Sequence, residues 1–460
     1  MDHPTRQSVL FPDLFSKPVH VGFSREPLSS HGGVILLAAR DRHLRLTETL
    51  AGCLRDRRQA AKVDHALLDQ LRQRITSLAI GCPDGNDAAH LREDPMLKLA
   101  CHRDPIHGPA LASQPTLSRF ENSVTGGQLL AMGSALAETV LAEQARRRQG
   151  RKLRRIVIDL DPTCDPTYGA QQLTLFNGYY DTYCYLPVIV TVSFGWERRK
   201  YPVAVVLRSG TAGPLVGTLS VLRRLLALLR KQFGEVPLYL RADSGFAVPA
   251  FFDFLEAEGL RYAVSMGSNR VLERLSQGLM HQVRRESAAA GRTITRYGEG
   301  VYRSGGWPRE RALTYKAEVL VHPDKTDPRD NDRYLVHNLD YRYGPRGAFA
   351  FYYGHSDMEN IIKELKHDLA VDRTSCSRFL ANQFRLLLTL AAYVLLQSVA
   401  EATRDRDLFK AQMATLRRRL LTLAVRVSAS VRRFCLQFTS HHPWADQWLA
   451  CARSVGAIPT

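Results

Sequence analysis

The chain has 460 residues, 45% apolar and 23% charged, which excludes a disordered polymer and calls for two or three packed units. Lysine and arginine outnumber aspartate and glutamate by 63 to 45, a formal charge of +18; so large a surplus points to a polyanionic partner, nucleic acid first among them. The opening residues MDHPTRQSVLFPDLF carry no basic-then-apolar leader, and the longest apolar run, 386–400, falls short of the roughly 20 residues of a membrane span, so a cytoplasmic protein with no membrane partner is expected.

In chain order, residues 1 to about 45 are rich in Pro, Ser, His and Gly and read as an irregular arm. From 46 to 146 the apolar spacing is helical, broken at GCPDG (81–85) and around Pro95, Pro105, Pro109 and Pro115. Leu67, Leu68, Leu71, Ile75 and Leu78 fall on one side of such a helix. A basic-edged helical region of this kind serves equally well to recognise DNA or to cap a core. The eight cysteines are scattered without a CxxC pair and are expected as free thiols; Cys82, Cys101, His102 and His107 match no common zinc spacing.

The run RRQGRKLRR (147–155) leads into IVIDLD (156–161), where Val157, Asp159 and Asp161 point one way and Ile156, Ile158 and Leu160 the other. Strand-like segments follow at 185–194 and 201–207, a helix at 214–233, a strand at 236–242, a helix near 247–258 and a strand at 261–266. Three adjacent strands, a helix, a strand, a helix and a strand are the order that a ribonuclease H-like fold displays. An α/β core is therefore expected, with a mixed five-stranded sheet and flanking helices.

From about 270 to 345, Gly, Arg and Pro interrupt short strands, and a mainly β insertion is expected, with Trp307 in GGWPRER as a candidate to stack on an unpaired base. Packing is the ordinary fate of such a tryptophan. Helices resume from about 356 to 400 and again from 407 to 437. Between Arg404 and Arg433 stand nine basic residues against Asp405 and Asp407, a surface for phosphate or simply a solvated face. The expected divisions are 1–150 (arm and helical, DNA-binding), 151–269 (first part of the core), 270–345 (insertion), 346–400 (second part of the core) and 401–460 (basic, helical).

Three carboxylates stand out. Asp161 ends the first strand and Asp243 the fourth, where side chains of neighbouring strands lie close enough to share metal ions. Glu359, in HSDMENIIKELKHDL (355–369), clusters with Lys363 and Lys366 on one face of an ideal helix, while Met358, Ile362, Leu365 and Leu369 form an apolar stripe about 90° round. Glu359 and Lys363 are also an ordinary surface pair, and the helix alone does not decide between the two roles. Asp159 is the rival for the first acid, because it shares a strand face with Asp161; it sits about 6.8 Å deeper, away from the strand end, as a structural carboxylate would.

QPTLSRFEN (114–122), DLDPTCDPTYGAQQ (159–172), FNGYYDTYCYLP (176–187), LRADSGF (240–246) and MENIIKELKHDLAVDRTSCSRFLANQFRLLLTLAAYVLL (358–396) together resemble bacterial insertion-sequence transposases of the DDE superfamily, the thirteen-eighty group in particular. The resemblance implies Asp161, Asp243 and Glu359 as catalytic acids holding two Mg²⁺ or Mn²⁺ ions. It implies double-stranded DNA as partner, both terminal inverted repeats and target, and a homodimer in the synaptic complex. The superfamily frame Tyr-x2-Arg-x3-Glu-x6-Lys is met by Tyr352, Glu359 and Lys366, with His355 in place of the arginine. Imidazole is largely neutral near pH 7 and lacks the fixed fork of a guanidinium. Two other classes fit the same acids: a structure-selective nuclease, and a transposase-derived protein that binds DNA without cutting it. No P-loop is present, so no ATP input is expected.

Overall fold

A computed structural model describes residues 9–11, 16–23, 26–321, 327–403 and 405–458. Arg404, counted above among the basic residues, and parts of the N-terminal arm lie outside them. The arm is not irregular throughout, since helix α1 already runs over Val34–Leu44. Helices α2 (Leu67–Ile80) and α3 (Gly126–Arg147) follow, and Thr125 and Gln128 form a reciprocal capping box at the start of α3. Leu71, Ile75 and Leu78 are buried in the same apolar core as the central sheet, so these helices pack as part of the main body.

The strands of the core run in the expected sequence. β1 (Ile156–Pro162) is followed by an excursion of three short strands, β2 (Asp165–Pro166), β3 (Leu175–Asn177) and β4 (Thr182–Tyr185). Then come β5 (Val188–Phe194), β6 (Tyr201–Val206), helix α4 (Thr218–Phe233), β7 (Leu238–Ala242), helix α5 (Pro249–Ala257) and β8 (Arg261–Met266). Pro187 lacks an amide donor and separates β4 from β5, which the alternation alone had merged into one strand. β7 lies parallel to β1 and β8 parallel to β7, whereas β5 is antiparallel to β1. The resulting order β8-β7-β1-β5-β6 puts β1 at the centre of a mixed five-stranded sheet, as a ribonuclease H-like core requires.

The insertion departs from expectation in two ways. Its first 21 residues form helix α6 (Arg270–Ala290), capped by Asn269 and ended at Gly291 with φ 62°. Its buried residues, Leu272, Ser276, Met280 and Val283, recur at helical spacing. The strands β9 (Ile294–Tyr302), β10 (Arg311–Leu320) and β11 (Arg333–His337) do not form a separate unit. They extend the central sheet through β11, which pairs antiparallel with β8.

Helices α7 (Gly344–Tyr353), α8 (Asp357–Lys363) and α9 (Phe379–Ala402) complete the core. α7 covers one sheet face, where Phe349 and Phe351 cluster with Val157, Ala263 and Leu335. The opposite face carries Ile156, Ile158 and Leu160 in the main core. α9 is long and apolar enough to cross a membrane by composition, yet 83% of its apolar window is buried in the protein, as expected of a core helix. The C-terminal region is not helical to 437. After short helical turns, β12 (Val425–Ser430) and β13 (Arg433–Phe438) form a hairpin that also pairs with Leu28–Ser29. Buried Val425 and Val427 alternate with exposed Arg426 and half-buried Ser428, a period of two that the density of basic residues obscures.

Candidate active site

Strand register brings the first two acids together. Leu238 pairs with Ile156 and Ala242 with Leu160 across β7 and β1. Asp243 continues in extended backbone (φ −75°, ψ 176°), so one further step at the same offset sets it beside Asp161, with strands about 4.8 Å apart. Burial pushes the Asp161 carboxyl up to about 7; His355 opposes the rise, whereas the charges of Asp243, Glu359 and Asp159 add to it. Asp161 thus feels both other acids. Burial raises Asp243 as well, against the pull of His355, the amides of Gly245 and Phe246, and Arg208. Its Oδ1 is buried without a hydrogen-bond partner. A Cβ on Gly245 would stand 3.2 Å from that oxygen, so glycine leaves space in front of it.

Glu359 lies in the first turn of α8 and is exposed, while Met358, Ile361, Leu365 and Leu369 are buried beneath it. Ile361 rather than Ile362 belongs to the fully buried stripe. Beyond both, α8 gives way at Glu364–Asp368 to a π-helical turn, so the 100° spacing assumed above does not carry on to Lys366. Lys363 stays exposed. Lys366 is swung round so that its Nζ donates to the Cys164 carbonyl at 2.6 Å, on the segment leaving Asp161.

Asp159 is a different kind of residue from Asp161. It is fully buried, and Arg241 donates to both of its oxygens at 2.8 Å while Lys200 Nζ binds Oδ2. His355 Nδ1 faces Oδ1 at 2.9 Å. Burial opposes ionisation, but Lys200 and Arg241 overcome it and hold this carboxyl well below the usual range. With every acceptor direction taken, Asp159 has nothing left for a metal ion, which corrects its standing as an alternative first acid. Lys200 and Arg241 went unnoticed in the sequence. Arg241 is the register partner of Asp159, a signal available two residues before Asp243 once the strand pairing is assumed.

His355 is 8% exposed, buried at the bend between α7 and α8 with its ring 5.8 Å from that of Tyr352. Tyr352 is half-buried, and its hydroxyl lies within electrostatic reach of Asp243, Asp161 and Asp159. Trp307 does not fit a base-stacking role. It is 4% exposed, with Phe252 and Tyr302 at 5.0 and 5.3 Å and the Arg311 guanidinium over its ring at 5.2 Å, so its faces are occupied by core neighbours.

Among the described residues no three His, Cys, Asp or Glu side chains stand at metal-binding distances from one another. The donor set nonetheless fits a hard divalent cation. It is all oxygen, it includes the orphaned Asp243 Oδ1, and two of its acids are raised by burial. Beside α8 a cavity of about 660 Å³ is lined by Arg155, Arg198, Arg241 and Arg342 against Glu197 and Asp357. Trp196, 73% exposed, forms part of its wall beneath the Arg155 guanidinium.

A family model described as transposase DDE domain group 1 matches residues 11–459. No curated protein matches the chain.

Proposed function

Because the chain belongs to the transposase DDE domain family, we propose that it excises and inserts DNA with Asp161, Asp243 and Glu359 as its catalytic acids. What supports this assignment is the register of β7 on β1, extended one step to Asp243 and Asp161, together with the Asp161 carboxyl that burial raises. Two Mg²⁺ or Mn²⁺ ions held by these acids would activate a water or 3′-hydroxyl and stabilise the departing oxygen.

The chain's own residues supply the rest. Asp161 gives up its proton near neutral pH, the condition for it to bind a cation. Asp243 offers a buried oxygen that no protein donor satisfies. Glu359 approaches from an exposed helix turn, so the site is open on the side from which a duplex must enter. Lys363, exposed on the helix that carries Glu359, suits phosphate beside the scissile bond, and Lys366 on the turn beyond it would join by releasing the Cys164 carbonyl. Asp159, Arg241, Lys200 and His355 form a rigid base under β1 and position Asp161 without touching substrate. The arginine-lined cavity beside α8 extends a basic surface away from the acids, suited to the DNA backbone of a terminal repeat. Synapsis of two ends by a homodimer belongs to the same proposal.

The test is strand cleavage and joining on a segment flanked by the element's terminal inverted repeats, with Mg²⁺ present. Asp161→Asn, Asp243→Asn and Glu359→Gln are each expected to abolish cutting while repeat binding in gel shift persists. Full cutting by any one of them removes that residue from the site. Cleavage of branched DNA without repeat preference would instead support a structure-selective nuclease.

A further inference from the structure

Most of a protein's large exposed apolar side chains are scattered singly. Here seven of them lie within 16 residues of chain, on the excursion that leaves β1 immediately after Asp161: Tyr168, Leu173, Leu175, Phe176, Tyr179, Tyr180 and Tyr183. Five are aromatic, and Tyr168 and Tyr179 are 93% and 88% exposed. The excursion is a small antiparallel sheet in the order β2-β4-β3.

This exposure is built rather than left over. Asn177 Oδ1 accepts from the amides of Tyr179 and Tyr180 at 2.9 and 3.2 Å, and its Nδ2 donates to the Gly210 carbonyl at 2.7 Å. The β3–β4 turn is thereby fixed to the body. Gly210 is needed for that approach, because a Cβ there would lie 2.2 Å from the Leu175 carbonyl oxygen. At the base, the Tyr185 hydroxyl donates to the Gln172 carbonyl at 2.6 Å and the Gln172 amide to Ser377 at 2.8 Å. Phe176 meets Tyr183 edge-on at 67°, and Tyr179 meets Tyr180 at 88°, so in each pair at most one ring face is taken by its neighbour's edge.

We propose that this aromatic sheet is a stacking platform for unpaired bases of the DNA strand next to the cut, with Tyr168 and Tyr179 as its outermost rings. The inference rests on the transposase reading for the identity of the strand. Three features favour bases over a protein partner. The patch is aromatic rather than aliphatic, and every base has a face to stack on such rings. It is continuous with the acids: β2 begins four residues after Asp161, and the Tyr180 hydroxyl lies within electrostatic reach of Asp161 and Asp243. A cation borders it, for Lys366 Nζ holds the Cys164 carbonyl at its root.

The full-length protein is tested in metal-free buffer by fluorescence anisotropy, with a duplex bearing a five-nucleotide single-stranded end and a blunt duplex of equal length. Wild type is expected to prefer the single-stranded end. The double variant Tyr168→Ala/Tyr179→Ala should lose that preference by at least about tenfold, with blunt-duplex affinity within about twofold of wild type; Tyr168→Phe/Tyr179→Phe should keep it, because the ring and not the hydroxyl stacks. Ultraviolet crosslinking of wild type to 5-iododeoxyuridine in the overhang should map to residues 168–183. Unchanged overhang preference in the alanine variant overturns the proposal, as does a crosslink confined to other segments. So does a change of oligomeric state in sedimentation with DNA binding intact, which would make the patch a contact between copies. Binding is read without cleavage, so an inactive catalytic centre and an idle platform give different results.

Discussion

Arg241 grips Asp159 from the adjacent strand, donating from Nε and Nη2 to the two carboxylate oxygens at 2.8 Å each. The ladder ends at Ala242 and Leu160; Asp243 and Asp161 follow on the side of Arg241 and Asp159, and burial raises both carboxyls. One step along a strand face therefore separates a neutralised structural acid from a raised one. The contrast makes their variants distinguishable.

Asp159→Asn is expected to lower stability by about 3–5 kcal/mol, because Lys200 and Arg241 remain buried without their counter-charge. The carboxyl is held below its unfolded value, so its contribution is present above about pH 4 and fades only as pH falls through the folded value. Urea melts at pH 5 and pH 8 should thus show a similar deficit. A neutral effect would remove Asp159 from the role of hub.

Asp161→Asn should do the reverse. A carboxyl raised to about 7 favours the folded state below its unfolded pKa, near 4, and that contribution is lost as pH climbs through 7. Without metal, the variant is expected to exceed wild type in stability at pH 8 by roughly 2–4 kcal/mol and to match it near pH 4. Melting temperatures across that range decide the matter; equal curves would mean that the carboxyl is not raised.

Divalent ions should recover what burial withholds. Mg²⁺ or Mn²⁺ is expected to raise the wild-type melting temperature more at pH 8 than at pH 6, because binding displaces the Asp161 proton. Apparent affinity should fall by up to about tenfold per pH unit below 7. Asp243→Asn should abolish the shift, since it replaces an unpartnered acceptor with an amide. A pH-independent shift, or one that survives in Asp243→Asn, would place the ion elsewhere.

Gly354→Ala tests the packing around the hub. Gly354 has an ordinary helical φ of −62°, so no backbone strain is involved, but an added Cβ would stand 2.1 Å from Arg241 Nη1. The guanidinium also donates from Nη1 to the Phe351 carbonyl at 2.8 Å, a bond that is lost if it moves aside. A loss of about 2–4 kcal/mol is expected, together with reduced cutting, as Arg241 is pushed off Asp159. Gly347→Ala serves as control, because its Cβ would meet nothing nearer than 3.5 Å.

His355→Arg would restore the residue of the superfamily frame, yet the surroundings do not favour it. The position is buried and already flanked by Lys200 and Arg241 around a single carboxylate. A third permanent cation should lower stability by about 2–4 kcal/mol and cutting with it. His355→Gln, which keeps a donor for Asp159, should cost only about 1 kcal/mol. Cutting above the wild-type level in His355→Arg would show that the side chain reaches phosphate instead.

Local pattern along the chain suffices for the order of the core strands and helices from 156 to 266, the strand ends carrying Asp161 and Asp243, and the helix carrying Glu359. These follow from periodicities of two and 3.6 residues and from strong turn signals, all local properties of the chain. A period-two signal in β12 and β13 was also present, beneath a dense run of arginines. Folding in three dimensions separates Asp159 from Asp161, because Lys200, Arg241 and His355 reach the one carboxylate from separate elements. It likewise decides that Trp307 is enclosed, that a π-helical turn redirects Lys366, and that the insertion strands extend the central sheet. Burial and ion pairing are set by residues distant along the chain, and local spacing carries no record of them.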